Sequence, residues 1–280
     1  MIEKRIVIML FLVSCSISAQ IKGVIKDSIS GKPISYVNIW IQNENIGTTS
    51  EEDGTFRLHA AEKNKNLIFS ALGFEKKVVK AFDGMIVSLK PTTYQLDEVV
   101  IGDKRAETKE VEIGQTENSM YQAFDNGPRI DTKFFPYSTA YKKTKYIKKV
   151  SIQTDCRIPD AIVKIHFYSV DANGYPGEEL LDKDFIVTVK KGVRKTYFNV
   201  TNLNLRMPKN GIFVAFERLS IERNRATGSY APFVLYSLIE KEHLFTFTGG
   251  KWIKKSKQNP VDGSDKMMIH EPAINLILTN

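Results

Sequence analysis

The sequence predicts an all-β protein: two β-sandwich domains in series behind a cleaved signal peptide. Short runs with apolar residues at every second position recur along the 280 residues, which is the period of a strand with one buried face. Clusters of Gly, Pro, Asn, Asp and Ser punctuate the runs, roughly every 8–12 residues as in antiparallel sandwiches. Between Gln20 and Leu89 no stretch repeats with the 3.6-residue period of a helix.

The first nineteen residues form an export signal. Lys4 and Arg5 precede an unbroken apolar run at residues 6–13 (IVIMLFLV), and small residues follow to Ala19. The run is too short for a hydrocarbon core, which takes about 20 residues. No later stretch is longer, so the mature chain is expected to have no transmembrane span. Cleavage before Gln20 is the expected processing, and "LVSC" ending at Cys15 also reads as a lipid-attachment motif. The protein is therefore expected in the periplasm or at the outer-membrane surface, with a lipid anchor at Cys15 as the alternative. Cys156 then has no cysteine to pair with in an oxidising compartment. It reads as a small buried hydrophobe.

The chain carries 40 Lys and Arg against 32 Asp and Glu, a formal charge of +8, and losing Glu3, Lys4 and Arg5 with the signal lowers this by one. The surplus favours anionic partners, although an exported chain rarely meets nucleic acid, and no nucleic-acid partner is expected. In the basic runs "YKKTKYIKKV", "VKKGVRKTY" and "GGKWIKKSK", lysine alternates with Tyr, Val and Ile. They read as strands with one solvated face.

The first domain, residues 20–101, builds up in order. "IKGVIKD" is a strand and "DSISGKP" a turn; "ISYVNIWI" sets Val37, Ile39 and Ile41 on one face and Tyr36, Asn38 and Trp40 on the other. "GTFRLHA", "NLIFSAL", "GFEKKVVKA" and "MIVSL" follow, the last aligning Met85, Val87 and Leu89. Seven short strands fit an antiparallel sandwich. The run Glu51, Glu52, Asp53 sits between Gly47 and Gly54. A calcium loop needs alternating oxygen ligands closed by a bidentate Glu, and here Thr55, Phe56, Arg57 and Leu58 follow. Asp53-Gly54 between alternating strands is a hairpin signal instead.

The stretches "GKPI", "GTTSEEDGTF", "SALGF" and "LDEVVI" occur here in the order found in the carboxypeptidase-regulatory-like domain, and residues 21–101 resemble that family. The resemblance implies an immunoglobulin- or transthyretin-like seven-stranded sandwich, of the kind that precedes TonB-dependent outer-membrane receptors. In such receptors "LDEVVI" leads into a plug and a barrel. Only 179 residues (280 − 101) follow Ile101, which is short for a receptor barrel. Among His59, His166, His243 and His270 no H-E-x-x-H spacing occurs, so the resemblance implies an accessory module, neither transporter nor zinc peptidase.

Residues 102–122 are charged, poor in large apolar residues and unpatterned, and read as a linker. From 123 to 280 about eight longer strands return, among them "YIKKVSIQT", "AIVKIHFYSV", "DFIVTVKKG", "GIFVAFERLSI", "LFTFTGGKWI" and "AINLILT". They suit a jelly-roll-like sandwich. This half resembles the β-sandwich domains of exported surface proteins, through "FVAFE" and "NGYPGEEL". In "AIVKIHFYSV", Lys164, His166 and Tyr168 fall on the polar face, so His166 is expected at the surface.

Catalysis finds little support. There is no G-x-S-x-G elbow and no Gly-rich phosphate loop, and neither a cofactor nor a metal is expected. Glu217 and Glu222 are conceivable as the two carboxylates of a glycosidase, but Glu217 at the end of an apolar run reads as a strand-end carboxylate paired with Lys or Arg. Binding is the stronger case, because flat aromatics in turns can stack on sugar rings while nearby polar groups orient them. The candidates are Tyr175, Tyr230, Trp252 and Trp40, with Arg223 and Arg225 in the loop at residues 223–232. The leading expectation is an exported non-catalytic module that binds a glycan or envelope protein through its second domain. An accessory partner of a TonB-dependent receptor and a polysaccharide hydrolase are the alternatives.

Overall fold

The structure, a computed structural model, describes residues 20–59, 64–92, 109–114, 120–121, 128–240, 243–256 and 268–280. The signal segment with Cys15, the "LDEVVI" stretch and most of 102–122 lie outside these. The described residues hold strands and three single-turn 3-10 helices, and none of their helices is long and apolar enough to cross a membrane. The all-β expectation holds.

The first sandwich has seven strands: β1 (Gln20–Asp27), β2 (Asn38–Ile41), β3 (Gly47–Thr49), β4 (Thr55–His59), β5 (Asn66–Ser70), β6 (Lys77–Lys80) and β7 (Met85–Leu89). They form two sheets, β4-β1-β7 and β3-β2-β5-β6. Alternation selects the inward faces. Ile21, Ile25, Phe56, Leu58, Met85, Val87 and Leu89 of one sheet meet Ile39, Ile41, Leu67 and Phe69 of the other in one buried cluster. The acidic run is the β3–β4 corner. Asp53 Oδ1 accepts the Thr55 N–H at 2.9 Å and the Thr55 hydroxyl at 2.6 Å, and Gly54 N donates to Glu51 O at 3.0 Å. Gly54 has φ +76°, and a Cβ there would lie 2.6 Å from Ile25 O, so the corner requires glycine.

The second body begins inside the stretch read as a linker, where β8 (Glu110–Ile113) and β9 (Met120–Tyr121) lie. Then come β10 (Ile130–Phe135), β11 (Tyr146–Cys156), β12 (Ala161–Val170), β13 (Pro176–Glu179), β14 (Phe185–Val189), β15 (Gly192–Asn199) and β16 (Ile212–Arg218). The set closes with β17 (Arg225–Ala226), β18 (Ser229–Tyr230), β19 (Phe233–Val234), β20 (Tyr236–Glu240), β21 (His243–Thr248), β22 (Lys251–Ser256), β23 (Met268–Pro272) and β24 (Ile274–Thr279). The front sheet runs β13-β12-β16-β10-β21-β22, with β14 also on β12; the back sheet runs β15-β11-β24-β8, with β19 also on β11. Val163, Ile165, Phe167, Val214 and Phe216 of the front pack on Val150, Ile152, Ile274 and Leu276 of the back. Cys156 is buried there, its thiol donating to Ile158 O.

From Ile130 on, fifteen strands among the described residues replace the eight or so expected, partly because β17, β18 and β19 are two-residue ladders too short to alternate. β10 shows no apolar alternation, for a different cause. It lies between β16 and β21, yet Asp131, Thr132 and Lys133 are all under 5 % exposed. Asp131 accepts from the Tyr236 hydroxyl, from Thr246 Oγ1 at 2.7 Å and from Arg129 Nε at 2.7 Å. Lys133 Nζ lies 3.2 Å from Glu271. A strand buried on both faces by ion pairs carries no hydrophobic period to read.

Candidate functional site

Two sites form where the sandwiches meet, one closed and one open. The closed site is built on the face of β12 opposite the core. Lys164 is 2 % exposed; its ammonium donates to Tyr36 O of the first sandwich at 3.0 Å and lies 3.1 Å from Asp184. His166 is held between Glu179, 2.8 Å from Nδ1, and Glu217, 2.7 Å from Nε2. Glu179 also accepts the Phe167 N–H at 2.7 Å. Burial alone opposes a charge on His166, but the Glu179 carboxylate and the bonds to both glutamates overcome it and hold the pKa up at about 9. Burial likewise opposes charge on Lys164 and Glu217. The Glu217 and Asp184 carboxylates nevertheless raise the Lys164 pKa, while Lys164 and His166 lower that of Glu217. Lys164, His166 and Glu217 thus stay ionised together.

This corrects the sequence reading of β12. Lys164 and His166 are interior, because the first sandwich covers the face they occupy. Glu217 pairs with His166, not with the Lys or Arg that its strand-end reading expected, and it is 3 % exposed inside the network. Glu222 is exposed in a 3-10 turn, its side chain 3.5 Å from Arg225 Nε. The two glutamates do not share an open cleft.

Aromatic residues extend the seam beside this network. Trp40 does lie on the outer face of its strand, but it is only 3 % exposed, its ring edge-on to Phe247 at 5.9 Å. Phe247 meets Trp252 at 5.2 Å, Trp252 meets Tyr168 at 5.3 Å, and Tyr168 stacks on His166 at 5.4 Å. Tyr175 packs on Phe245 at 4.6 Å. Trp40, Trp252 and Tyr175 are therefore packing residues, and the structure does not bring them together with the arginine loop. Arg223 is also apart, its Nε donating to Asp160 O at 3.1 Å.

Arg225 and Tyr230 do come together, on paired strands β17 and β18, and they line the open site. This cleft encloses about 600 Å³. One wall is the β3–β4 corner with Thr48, Glu51, Glu52 and Asp53; Gln20, Arg57 and His59 continue it along β1 and β4. Ser220, Glu222, Arg225 and Tyr230 of the second sandwich form the opposite wall. Its floor is pinned by backbone donors, the Ser220 N–H to Thr49 Oγ1 at 3.1 Å and the Glu222 N–H to Glu51 Oε1 at 2.8 Å. Carboxylates, guanidinium groups, a phenol and an imidazole thus converge on one open space. Glu51, Glu52, Arg57 and His59 were missed as site residues: in the sequence they mark only a turn and a solvated strand face, and the opposite wall is about 170 residues away.

Comparison with known proteins bears on the first sandwich. Residues 21–101 match the family model of the CarboxypepD_reg-like domain. The sandwich expected from the motifs is thus that domain, over the span expected. The chain is also similar to the TonB-dependent receptor SusC of Bacteroides thetaiotaomicron, 32 % identical over 81 residues. That similarity covers 29 % of this chain and 8 % of the receptor, so the chain spans a small part of the curated relative it matches. Among solved structures it is similar to a DUF3823 family protein from Bacteroides ovatus, at 11 % identity over 91 % of this chain and 97 % of that one, with a TM-score of 0.20. It is also similar to an infectious bursal disease virus structure (Gx strain), at 10 % identity over 88 % and 52 %, with a TM-score of 0.24. At such TM-scores neither likeness carries an argument.

Proposed function

We propose that this is an exported, non-catalytic cell-envelope protein that binds a hydroxyl-rich ligand, a saccharide in the first instance, in the cleft between its two sandwiches. One observation carries the reading: Arg225 and Tyr230 face Glu51, Glu52, Arg57 and His59 across an open space of about 600 Å³. An aromatic face with charged hydrogen-bonding groups around it suits a sugar ring. The envelope setting is supported by the CarboxypepD_reg-like domain and by the similarity of that domain to a TonB-dependent receptor. The non-catalytic reading is supported by Glu217, which is 3 % exposed, bonded to His166 and outside the lining of the open cleft.

Calorimetric titration against a panel of envelope and dietary glycans tests this, with Tyr230→Ala and Arg57→Ala as the variants. Both should weaken a hit by at least about tenfold, as loss of an anchoring contact does. A hit unaffected by either change places the ligand elsewhere, and turnover of any glycan ends the non-catalytic reading.

A second reading, an accessory partner of a TonB-dependent transporter, draws on the 81-residue similarity to SusC. Chemical crosslinking in envelope preparations should then join this chain to a large barrel protein.

A further inference from the structure

The two free edges on one flank of the first sandwich are unlike. β6 ends the sheet β3-β2-β5-β6. It reads KVVK, four residues capped by lysines, as edges that avoid pairing usually are. β7 ends the other sheet, and among the described residues no strand lies on its outer side. It reads MIVSL, with no charge, proline or bulge. Ile86 is 67 % exposed in its centre, and Phe82 just before it is 53 % exposed.

The backbone points the same way. β7 runs parallel to β1, so alternate residues turn their N–H and C=O groups toward it. Leu89 O takes the Ser28 N–H, which gives residues 85, 87 and 89 to β1 and leaves Ile86 and Ser88 facing outward. Ser88 O already accepts from outside the sheet, from Lys77 Nζ at 2.8 Å.

We propose that β7 is a docking edge for an extended acidic segment of a partner protein, added as a fourth strand beside Ile86. The charges around the edge select that partner. Lys22 and Lys26 stand on the outward face of β1, and Lys77 and Lys80 on β6. A second copy of this chain would bring those lysines against one another, whereas alternating apolar and acidic side chains would cover Ile86 and meet them. Main-chain bonds give such strand addition its affinity, and side chains give it selectivity. This site is separate from the saccharide cleft and does not depend on it.

The test uses the mature full-length protein and a short fluorescein-labelled peptide in which valine and glutamate alternate, followed by anisotropy and amide hydrogen exchange. The glutamate peptide should bind and slow exchange at Ile86 and Ser88, and the same peptide with lysine for glutamate should not bind. Ile86→Lys, at an exposed position that leaves the fold intact, should weaken binding at least tenfold, and Val78→Lys on β6 should leave it unchanged. Failure of the glutamate peptide to bind, equal binding of the lysine peptide, or binding without protection of those amides overturns the proposal. So does Ile86-dependent binding to anionic phospholipid vesicles in place of the peptide, or dimerisation through β7 in the ultracentrifuge.

Discussion

Replacing Lys164 by methionine keeps the length of the side chain and removes its charge. In the folded protein the ammonium donates to Tyr36 O at 3.0 Å and lies 3.1 Å from Asp184. Each such charge-assisted bond contributes about 1.5–3 kcal/mol. Its loss leaves buried Glu217, with half-buried Glu179 and Asp184 beside it, opposed only by His166. Breaking one partner of a buried ionic cluster costs about 3–5 kcal/mol, which agrees with the sum over the two bonds. At roughly 2–4 °C per kcal/mol for a chain of this size, K164M should lower Tm by about 6–20 °C in differential scanning calorimetry. The Tyr36 bond also joins the two sandwiches, so limited proteolysis should separate them faster in the variant. Adding Glu217→Gln should recover part of the loss, because the second change removes a charge that the first left unpaired; a double-mutant cycle measures that coupling. A K164M protein that melts within about 2 °C of the parent, or a strictly additive double variant, would refute the view that this cluster holds the seam.

Two further outcomes follow from the same geometry. The His166 pKa is about 9 in the folded protein against an ordinary 6.5, so its contribution is complete below about pH 6.5 and fades as pH rises through 9. That amounts to something on the order of 3 kcal/mol. Urea unfolding at pH 6.5 and pH 9.5 should show the loss, and His166→Gln should flatten the difference; a parent equally stable at both pH values contradicts it. Gly54→Ala should destabilise the first sandwich by at least about 1–3 kcal/mol, since φ is +76° and the new Cβ would sit 2.6 Å from Ile25 O. An alanine variant with an unchanged denaturation midpoint would show that the corner relaxes freely.

Strand period was readable wherever one face of a strand is apolar and the other polar. Met85, Val87 and Leu89 alternate with exposed Ile86 and Ser88, and Val163, Ile165 and Phe167 line the core as their spacing required. Asp53-Gly54 marked its corner, because few residues besides glycine tolerate that backbone. These are local facts, set by neighbours along the chain, so the all-β class and the two cores could be had from the residues alone. What the second face of a sheet meets is a different question. Lys164 and His166 occupy polar positions in the alternation, and Trp40 an outward one, yet all three are buried because one sandwich lies on the other. The same packing assembles the cleft, joining Arg57 of β4 to Tyr230 of β18. Burial of a polar face depends on the surface brought against it, and that surface comes from residues far off in the chain, so only the tertiary structure decides it.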